Sequence, residues 1–458
     1  MLFNTWNFVI FFTVFATGFY LLRACKNARL LWLLAGSYFF YGFLDVRFLI
    51  PLIVTTVVDF FAGKGIARGR HPKLFLALSL LVDLGILCTF KYLNFFTENM
   101  QALLDACSCE FELPESELLL PVGISFYTFQ SLSYTLGVYF KQCAPESNFL
   151  RYAVFTAMFP QILAGPIERA KNLLPQLKHK LVIRPLDIQD GLSLFISGLF
   201  KKAVMADMIS IFVNTVYGDI DEYSSVSVFL AAFFYSWQIY FDFSGYSDMA
   251  RGVGRMLGFR LMLNFNNPYT AVDVREFWRK WHISLSSWFK DYIYIPLGGG
   301  RSTKIRVWWN IMVTMVVSGF WHGAAWNFII WGALNGLGAI LSPRSDQSSW
   351  YGKVPKLIRQ ILTFLFITVT WVFFKLETVG EALEVLKKAV SFQSGTTLIP
   401  FVPLLLTLII WIWQLVYDSE AKKYLMLRPV RIAALSLMLI LLLFLSGGSH
   451  EQFIYFQF

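Results

Sequence analysis

The sequence predicts an all-α protein that crosses a lipid bilayer about 11–12 times, with re-entrant and interfacial helices beside the spans. Three observations carry this prediction. Hydrophobic residues fill 57% of the 458 positions and charged residues only 15%, too few charges to cover a water-soluble surface of this size. Apolar runs of spanning length recur along the whole chain. The charged residues lie between those runs, in clusters that alternate in sign.

The apolar runs place helices near 6–22, 28–44, 46–62, 73–93, 117–140, 203–218, 226–247, 307–321, 325–341, 357–375, 400–417 and 431–447. The first has no basic leader and no small-x-small cleavage site, so it reads as a span rather than a removed signal. The 47 Phe and 15 Trp suit lipid contact and interfacial anchoring. Residues 152–166 are apolar but contain Pro160, Gly165 and Pro166 and are flanked by basic residues, so they read as a re-entrant hairpin. Backbone of that kind survives at membrane depth only when buried in protein or lining a cavity. Lys201 and Lys202 interrupt 191–215, which makes its first part half-inserted or interfacial. We read residues 1–458 as one membrane domain, with a core over roughly 117–341 and further helices and a tail over 357–458.

Loop charges predict the orientation. The first loop carries Arg23, Lys26 and Arg29, and the third Lys64, Arg68, Arg70 and Lys73. The fourth, roughly 94–116, carries Glu98, Asp105, Glu110, Glu112 and Glu115 and no basic residue. Cytoplasmic loops are the basic ones, so the first and third face the cytoplasm and the fourth faces out. Asp219, Asp221 and Glu222 then lie outside. The stretches 251–306, 342–356 (Arg344, Lys353, Lys356) and 419–430 (Lys422, Lys423, Arg428) lie inside. Both termini fall on the extracytoplasmic side. The net charge of +10 therefore reflects topology and anionic lipid head groups, not nucleic-acid binding.

Five cysteines define no metal-ligand spacing, and a bridge between Cys107 and Cys109 would be strained. Walker-type phosphate loops, G-x-S-x-G and H-E-x-x-H are absent, and Gly298-Gly299-Gly300 reads as a turn. Of five histidines, His71, His179 and His450 read as surface residues. His322 sits in Ser318-Gly319-Phe320-Trp321-His322-Gly323-Ala324-Ala325-Trp326-Asn327, between two apolar stretches, where an ionisable group is costly and normally faces a polar cavity. Gly319 and Gly323 leave room beside it for backbone or substrate. Sequence physics leaves a neutral packing histidine and a functional one equally open. His282, in Phe277-Trp278-Arg279-Lys280-Trp281-His282-Ile283-Ser284, reads on its own as part of an interfacial anchor. Asp59, Glu168, Asp242 and Asp248 read as ion-pair partners for arginines such as Arg169, Arg251 and Arg255, or as proton-pathway groups.

At these segments the chain resembles the membrane-bound O-acyltransferase family, in particular its bacterial alginate and peptidoglycan O-acetyltransferase branch. The resemblance is carried by Pro121-Val122-Gly123-Ile124-Ser125-Phe126-Tyr127-Thr128-Phe129-Gln130, Phe159-Pro160-Gln161-Ile162-Leu163-Ala164-Gly165-Pro166-Ile167, Asp242-Phe243-Ser244-Gly245-Tyr246-Ser247-Asp248, Phe277 through Gly299, and Trp321-His322-Gly323. It implies helices around a central chamber reached from both faces, and transfer of an acyl group from a cytoplasmic thioester to a hydroxyl. His322 matches the family's catalytic histidine and His282 its second position. Neutral imidazole suits the task, because a hydroxyl needs a base with a pKa near the working pH. The resemblance also puts forward Arg279, Lys280, Trp321, Asn327, Gln238 and Asp242 as substrate-binding residues. The ending Phe453-Ile454-Tyr455-Phe456-Gln457-Phe458 resembles the aromatic tails of the same branch. That likeness makes Tyr455, which bears a hydroxyl on the acceptor side, a candidate acyl relay.

The implied function is movement of an acetyl group from cytoplasmic acetyl-CoA toward hydroxyls of an extracytoplasmic polysaccharide, across the bacterial inner membrane. No bound cofactor or metal is expected. An extracytoplasmic SGNH-like transferase is the expected partner. Two rival readings are D-alanyl transfer to teichoic acid from a carrier-protein thioester, and a transporter or flippase, for which paired charges and inverted repeats are the signs.

Overall fold

The computed structural model describes residues 1–114, 116–342, 350–447 and 452–456. Glu115, Arg344, His450, Gln457 and Phe458, all used in the sequence reading, lie outside the described residues. Among the described residues the secondary structure is helical, apart from one isolated bridge between Tyr223 and Thr396. The chain divides into two compact units, Met1–Leu192 with Ala250–Met262, and Ser193–Met249 with Leu263–Phe458.

In the first unit, Trp6–Leu22 begins where the Thr5 hydroxyl accepts from the Phe8 amide at 3.3 Å. Lys26–Gly42 packs beside it. Leu49–Arg68 stops at Gly69, whose φ of 75° ends the helix in the left-handed region that glycine enters without penalty. Pro72 then opens the next helix at a position where its missing N–H costs nothing. That helix runs on through a wider turn at Cys88–Tyr92 into Leu93–Ala106. Part of the expected outer loop is thus helical, since Leu93–Ala106 contains neither glycine nor proline. Ile124–Tyr139 starts later than the hydrophobic run suggested, because Pro121 and Gly123, with φ of 80°, hold the preceding backbone out of the helix.

Helices Leu49–Arg68, Pro72–Leu87 and Ile124–Tyr139 meet around Asp59. Its two carboxyl oxygens accept from Ser79 at 2.7 Å and Ser131 at 2.6 Å. The residue reads as a structural acceptor rather than an arginine partner. Residues 152–166, read as a re-entrant hairpin, combine a short helix with buried non-helical backbone. A nine-residue helix, Phe149–Ala157, gives way to non-helical backbone in which Met158, Phe159, Leu163 and Ala164 are buried. The Phe159 amide donates to Ser37 at 3.0 Å, so this buried backbone finds a protein partner. Glu168 accepts from Asn172 at 2.6 Å and from the Met262 amide.

The helix through Lys201 and Lys202 is continuous, Pro185–Phe200 joining Asp207–Gly218 through a wider turn at Lys201–Ala206, and its residues from Ser193 on belong to the second unit. Both ammonium groups are answered by carboxylates: Lys201 by Asp248 at 2.7 Å, Lys202 by Asp242 at 2.8 Å and Asp207 at 2.9 Å. Those lysines, which the sequence reading did not name as partners, pair with Asp242 and Asp248. Arg255, in the first unit, instead pairs with Asp187 at 3.0 Å. Val379–Val390, unforeseen because it is short and half polar, is launched by a capping box between Thr378 and Glu381.

Among the described residues, five helical stretches are long and apolar enough to cross a bilayer: Val46–Arg68, Pro72–Ala106, Ser225–Met256, Lys356–Lys375 and Arg428–Leu445. Trp6–Leu22, Trp326–Leu341 and Phe401–Tyr417 are apolar but one or two residues shorter. The remaining expected spans are helical with more polar residues, such as Lys26 and Arg29 in Lys26–Gly42. Lipid-facing surface is plain on Arg428–Leu445, where Leu443 and Phe444 are largely exposed. The protein is a multi-pass membrane protein.

Candidate active site

His322 ends the helix Lys304–His322, and Gly323, with an extended backbone, breaks it before Trp326–Leu341 begins. The two helices form a tight hairpin. A Cβ on Gly319 would overlap the Phe328 carbonyl oxygen, and one on Gly332 the Met315 carbonyl oxygen. The room left by Gly319 is therefore taken by backbone, the small-residue contact that membrane helices use for close approach. Gly323 is covered by the Phe328 ring.

His282 lies in the corner between two short helices, Val274–Lys280 and Ile283–Phe289. Its φ is 42°, a left-handed conformation for a residue with a side chain. Such strain persists only where the surroundings over-determine it. Here Asn264 does so: its carbonyl accepts from the Ile283 amide at 2.9 Å, and its side chain accepts from the Ser284 hydroxyl at 2.6 Å. Trp281, fully buried, stacks on Phe277 and packs edge-on against Phe265. The corner aims the imidazole inward, and His282 is 1% exposed.

Tyr455, on the single turn Ile454–Phe456, meets both histidines. Ring centres stand 6.4 Å apart for His282 and His322, 5.7 Å for His322 and Tyr455, and 6.2 Å for His282 and Tyr455. An aromatic wall encloses the three. Phe243 packs edge-on against His282 at 4.6 Å and lies 4.3 Å from Tyr455. Trp321, Trp331 and Phe374 pack against His322 at 4.9, 5.1 and 5.3 Å. Burial pushes the His282 imidazole down to about 3, which keeps it neutral at ordinary pH.

A cavity of about 150 Å³ lies one helical turn from each histidine. Ser318, four residues before His322, and Ser286, four after His282, both line it. Trp278, also in its wall, packs on Trp331, which itself touches His322. Lys290 stands exposed among the lining residues.

The other sequence candidates fall as follows. Trp321 is in the aromatic wall. Asp242 binds the Ile454 amide at 2.7 Å and Lys202 at 2.8 Å. Gln238 is buried one turn before Asp242, and its Oε1 has no hydrogen-bond partner among the described residues. Asn327 donates to the Leu376 carbonyl at 2.6 Å, tying its helix to the next. Lys280 is held by Glu276 and Asp418, each at 3.0 Å, and Arg279 is exposed. His71 and His179 are exposed surface residues. Cys107 and Cys109 are free, exposed thiols. Among the described residues no three His, Cys, Asp or Glu side chains gather as metal ligands would. Trp331 and Phe374 went unnoticed in the sequence. Phe243, Ser286, Lys290 and Ser318 lay inside quoted motifs without being singled out, and Lys202 was read only as interrupting 191–215.

The profile of the membrane-bound O-acyltransferase family matches residues 141–379, a span that holds both histidines. The chain belongs to that family. This acyltransferase is 37% identical over 401 residues to "Probable alginate O-acetylase AlgI" of Azotobacter vinelandii, covering 86% of the chain and 79% of the relative. It is 36% identical over 428 residues to a peptidoglycan O-acetyltransferase of Helicobacter pylori, covering 86% and 80%. A teichoic acid D-alanyltransferase of Streptococcus thermophilus matches more weakly, 28% identical over 49% of the chain and 57% of the relative. The acyltransferase thus carries its two family-motif histidines and its tail tyrosine within one aromatic enclosure.

Proposed function

We propose that this acyltransferase moves an acetyl group from cytoplasmic acetyl-CoA, across the bacterial inner membrane, toward hydroxyls of an extracytoplasmic polysaccharide. The observation that carries the reading is the convergence of His282, His322 and Tyr455, whose ring centres lie 5.7–6.4 Å apart. A general base, a second neutral imidazole and a hydroxyl in a water-poor enclosure are the parts that acyl transfer to oxygen needs. In this mechanism His322 takes the proton of the attacking hydroxyl. The oxygen bonds to the thioester carbonyl carbon, the C–S bond breaks, and the leaving thiolate receives the proton from His322. His282 polarises the carbonyl or stabilises the oxyanion. The attacking hydroxyl is that of Tyr455, which becomes an acetyl ester and passes the group to an extracytoplasmic SGNH-like partner transferase.

In this reading the 150 Å³ cavity one helical turn from the histidines takes part of the donor's arm, with Lys290 in its wall to attract the phosphates. Arg279, exposed nearby in sequence, is a second candidate for that attraction, whereas Lys280 is taken up in local ion pairs. The acetyl reading is preferred to D-alanyl transfer because both acetyltransferase relatives align over most of the chain and the D-alanyltransferase over half. By the charge rule, the termini face the outside. The deciding experiment is mass spectrometry of surface glycans from cells with the wild-type protein and with His322→Ala. Loss of acetyl groups in the variant is expected, and normal acetylation would overturn the proposal.

A further inference from the structure

A buried hydrogen bond ties the turn that carries the tail tyrosine to the helix of Asp242. The Ile454 amide donates to Asp242 Oδ2 at 2.7 Å, and both residues are at most 6% exposed. The other oxygen of Asp242 faces Lys202 at 2.8 Å, and Lys202 also pairs with Asp207 at 2.9 Å. Two further contacts come from the same stretch of helix. Phe243 lies 4.3 Å from Tyr455, and Tyr246 lies 5.0 Å from Phe453. A carboxylate is a strong acceptor for a backbone N–H, roughly twice as strong as a neutral oxygen. A buried amide in a single isolated turn needs such a partner.

We propose that Asp242 is the docking point for residues 452–456 and a positioning residue for Tyr455, rather than a contact to substrate. The role of Tyr455 in the reaction rests on the function proposed above; the docking itself rests on geometry alone. Asp207 makes the arrangement workable. Lys202 faces one oxygen of Asp242, and the other accepts from the tail. Removing the Asp242 carboxylate also leaves Lys202 still paired, so the fold does not acquire an orphaned buried cation.

The test uses the purified full-length protein with its five native cysteines changed to serine and Tyr455→Cys as a reporter. The rate of labelling by a charged thiol reagent is measured with Asp242 intact, with Asp242→Ala, and with Ile454→Pro. The last removes the N–H donor, at the first position of a helical turn where proline fits, and leaves the Lys202 cluster untouched; Ile454→Ala, which keeps the N–H, controls for the lost buried side chain and should label more slowly than Ile454→Pro. Asp242→Ala and Ile454→Pro should both speed labelling roughly ten- to a hundredfold, the worth of one charge-assisted hydrogen bond. Asp242→Asn, which keeps an acceptor oxygen, should fall nearer the parent. Unchanged labelling in both Asp242→Ala and Ile454→Pro would overturn the proposal. In protein with Tyr455 present, Asp242→Ala should lower kcat for acetyl transfer with little change in the KM for acetyl-CoA. Faster labelling with unchanged kcat would uphold the docking while removing Tyr455 from the reaction.

Discussion

The imidazole of His322 and the phenol ring of Tyr455 stand 5.7 Å apart, centre to centre, although most of a helical bundle separates them in sequence. One ends a helix at a glycine break; the other sits on an isolated turn held by Asp242. Their meeting makes both residues open to direct test.

Removing the base should cost the most. His322→Ala should insert and melt like the parent yet lose about 10²–10⁴-fold in acetyl transfer, the usual range for a general base. Turnover of acetyl-CoA by purified protein measures the loss, and thermal unfolding checks the fold.

Tyr455→Phe keeps the ring that packs on Phe243 and removes only the hydroxyl. Melting should be unchanged, and glycan acetylation by cells should fall to background. Undiminished product would take Tyr455 out of the pathway.

The left-handed backbone of His282 predicts an inverted stability order. With φ at 42°, His282→Gly should be more stable than His282→Ala by about 1 kcal/mol, the reverse of the order in an ordinary helix. Both should be inactive. Comparative melts decide it. His282 also contributes a pH dependence. Its folded pKa is lowered to about 3, so below about 6.5 the unfolded chain binds a proton that the folded state does not. Stability should therefore fall as pH drops from about 6.5 toward 3, and His282→Asn should flatten that slope.

Gly332→Ala should push the helices Lys304–His322 and Trp326–Leu341 apart, since its Cβ would meet the Met315 carbonyl. A cost of about 1–3 kcal/mol is expected from such overpacking, visible in thermal unfolding, with activity falling because His322 sits on the displaced helix.

Lys290→Ala should raise the KM for acetyl-CoA about two- to fivefold and leave kcat alone, as removal of one exposed charge from a binding contact does. An unchanged KM would separate the cavity from donor binding.

Much of the fold was legible because apolar length and loop charge are written locally. Trp6–Leu22, Trp326–Leu341 and Phe401–Tyr417 begin and end within a residue or so of the expected limits. Helix limits set by backbone geometry at Gly69 and Gly123 were not read, because a positive φ at a glycine leaves no mark in the hydropathy pattern. The continuous helix through Lys201 and Lys202 was not either, because what permits it is three carboxylates, two of which lie on another helix. In the site, His282 and His322 were found through motifs. Phe374 was missed because it owes its place to packing from a segment that carries no local mark, and Ser286, Ser318 and Lys290, though inside quoted motifs, because only packing shows that they share one cavity.

The Lys202 cluster sets a rule for change in this protein. A mutation that neutralises Lys202 takes away the ammonium that both Asp207 and Asp242 face in the buried interior. Substitution at 202 alone is therefore penalised more than substitution at 207 or 242, either of which leaves Lys202 one carboxylate. The tail that leans on Asp242 inherits the same conservatism.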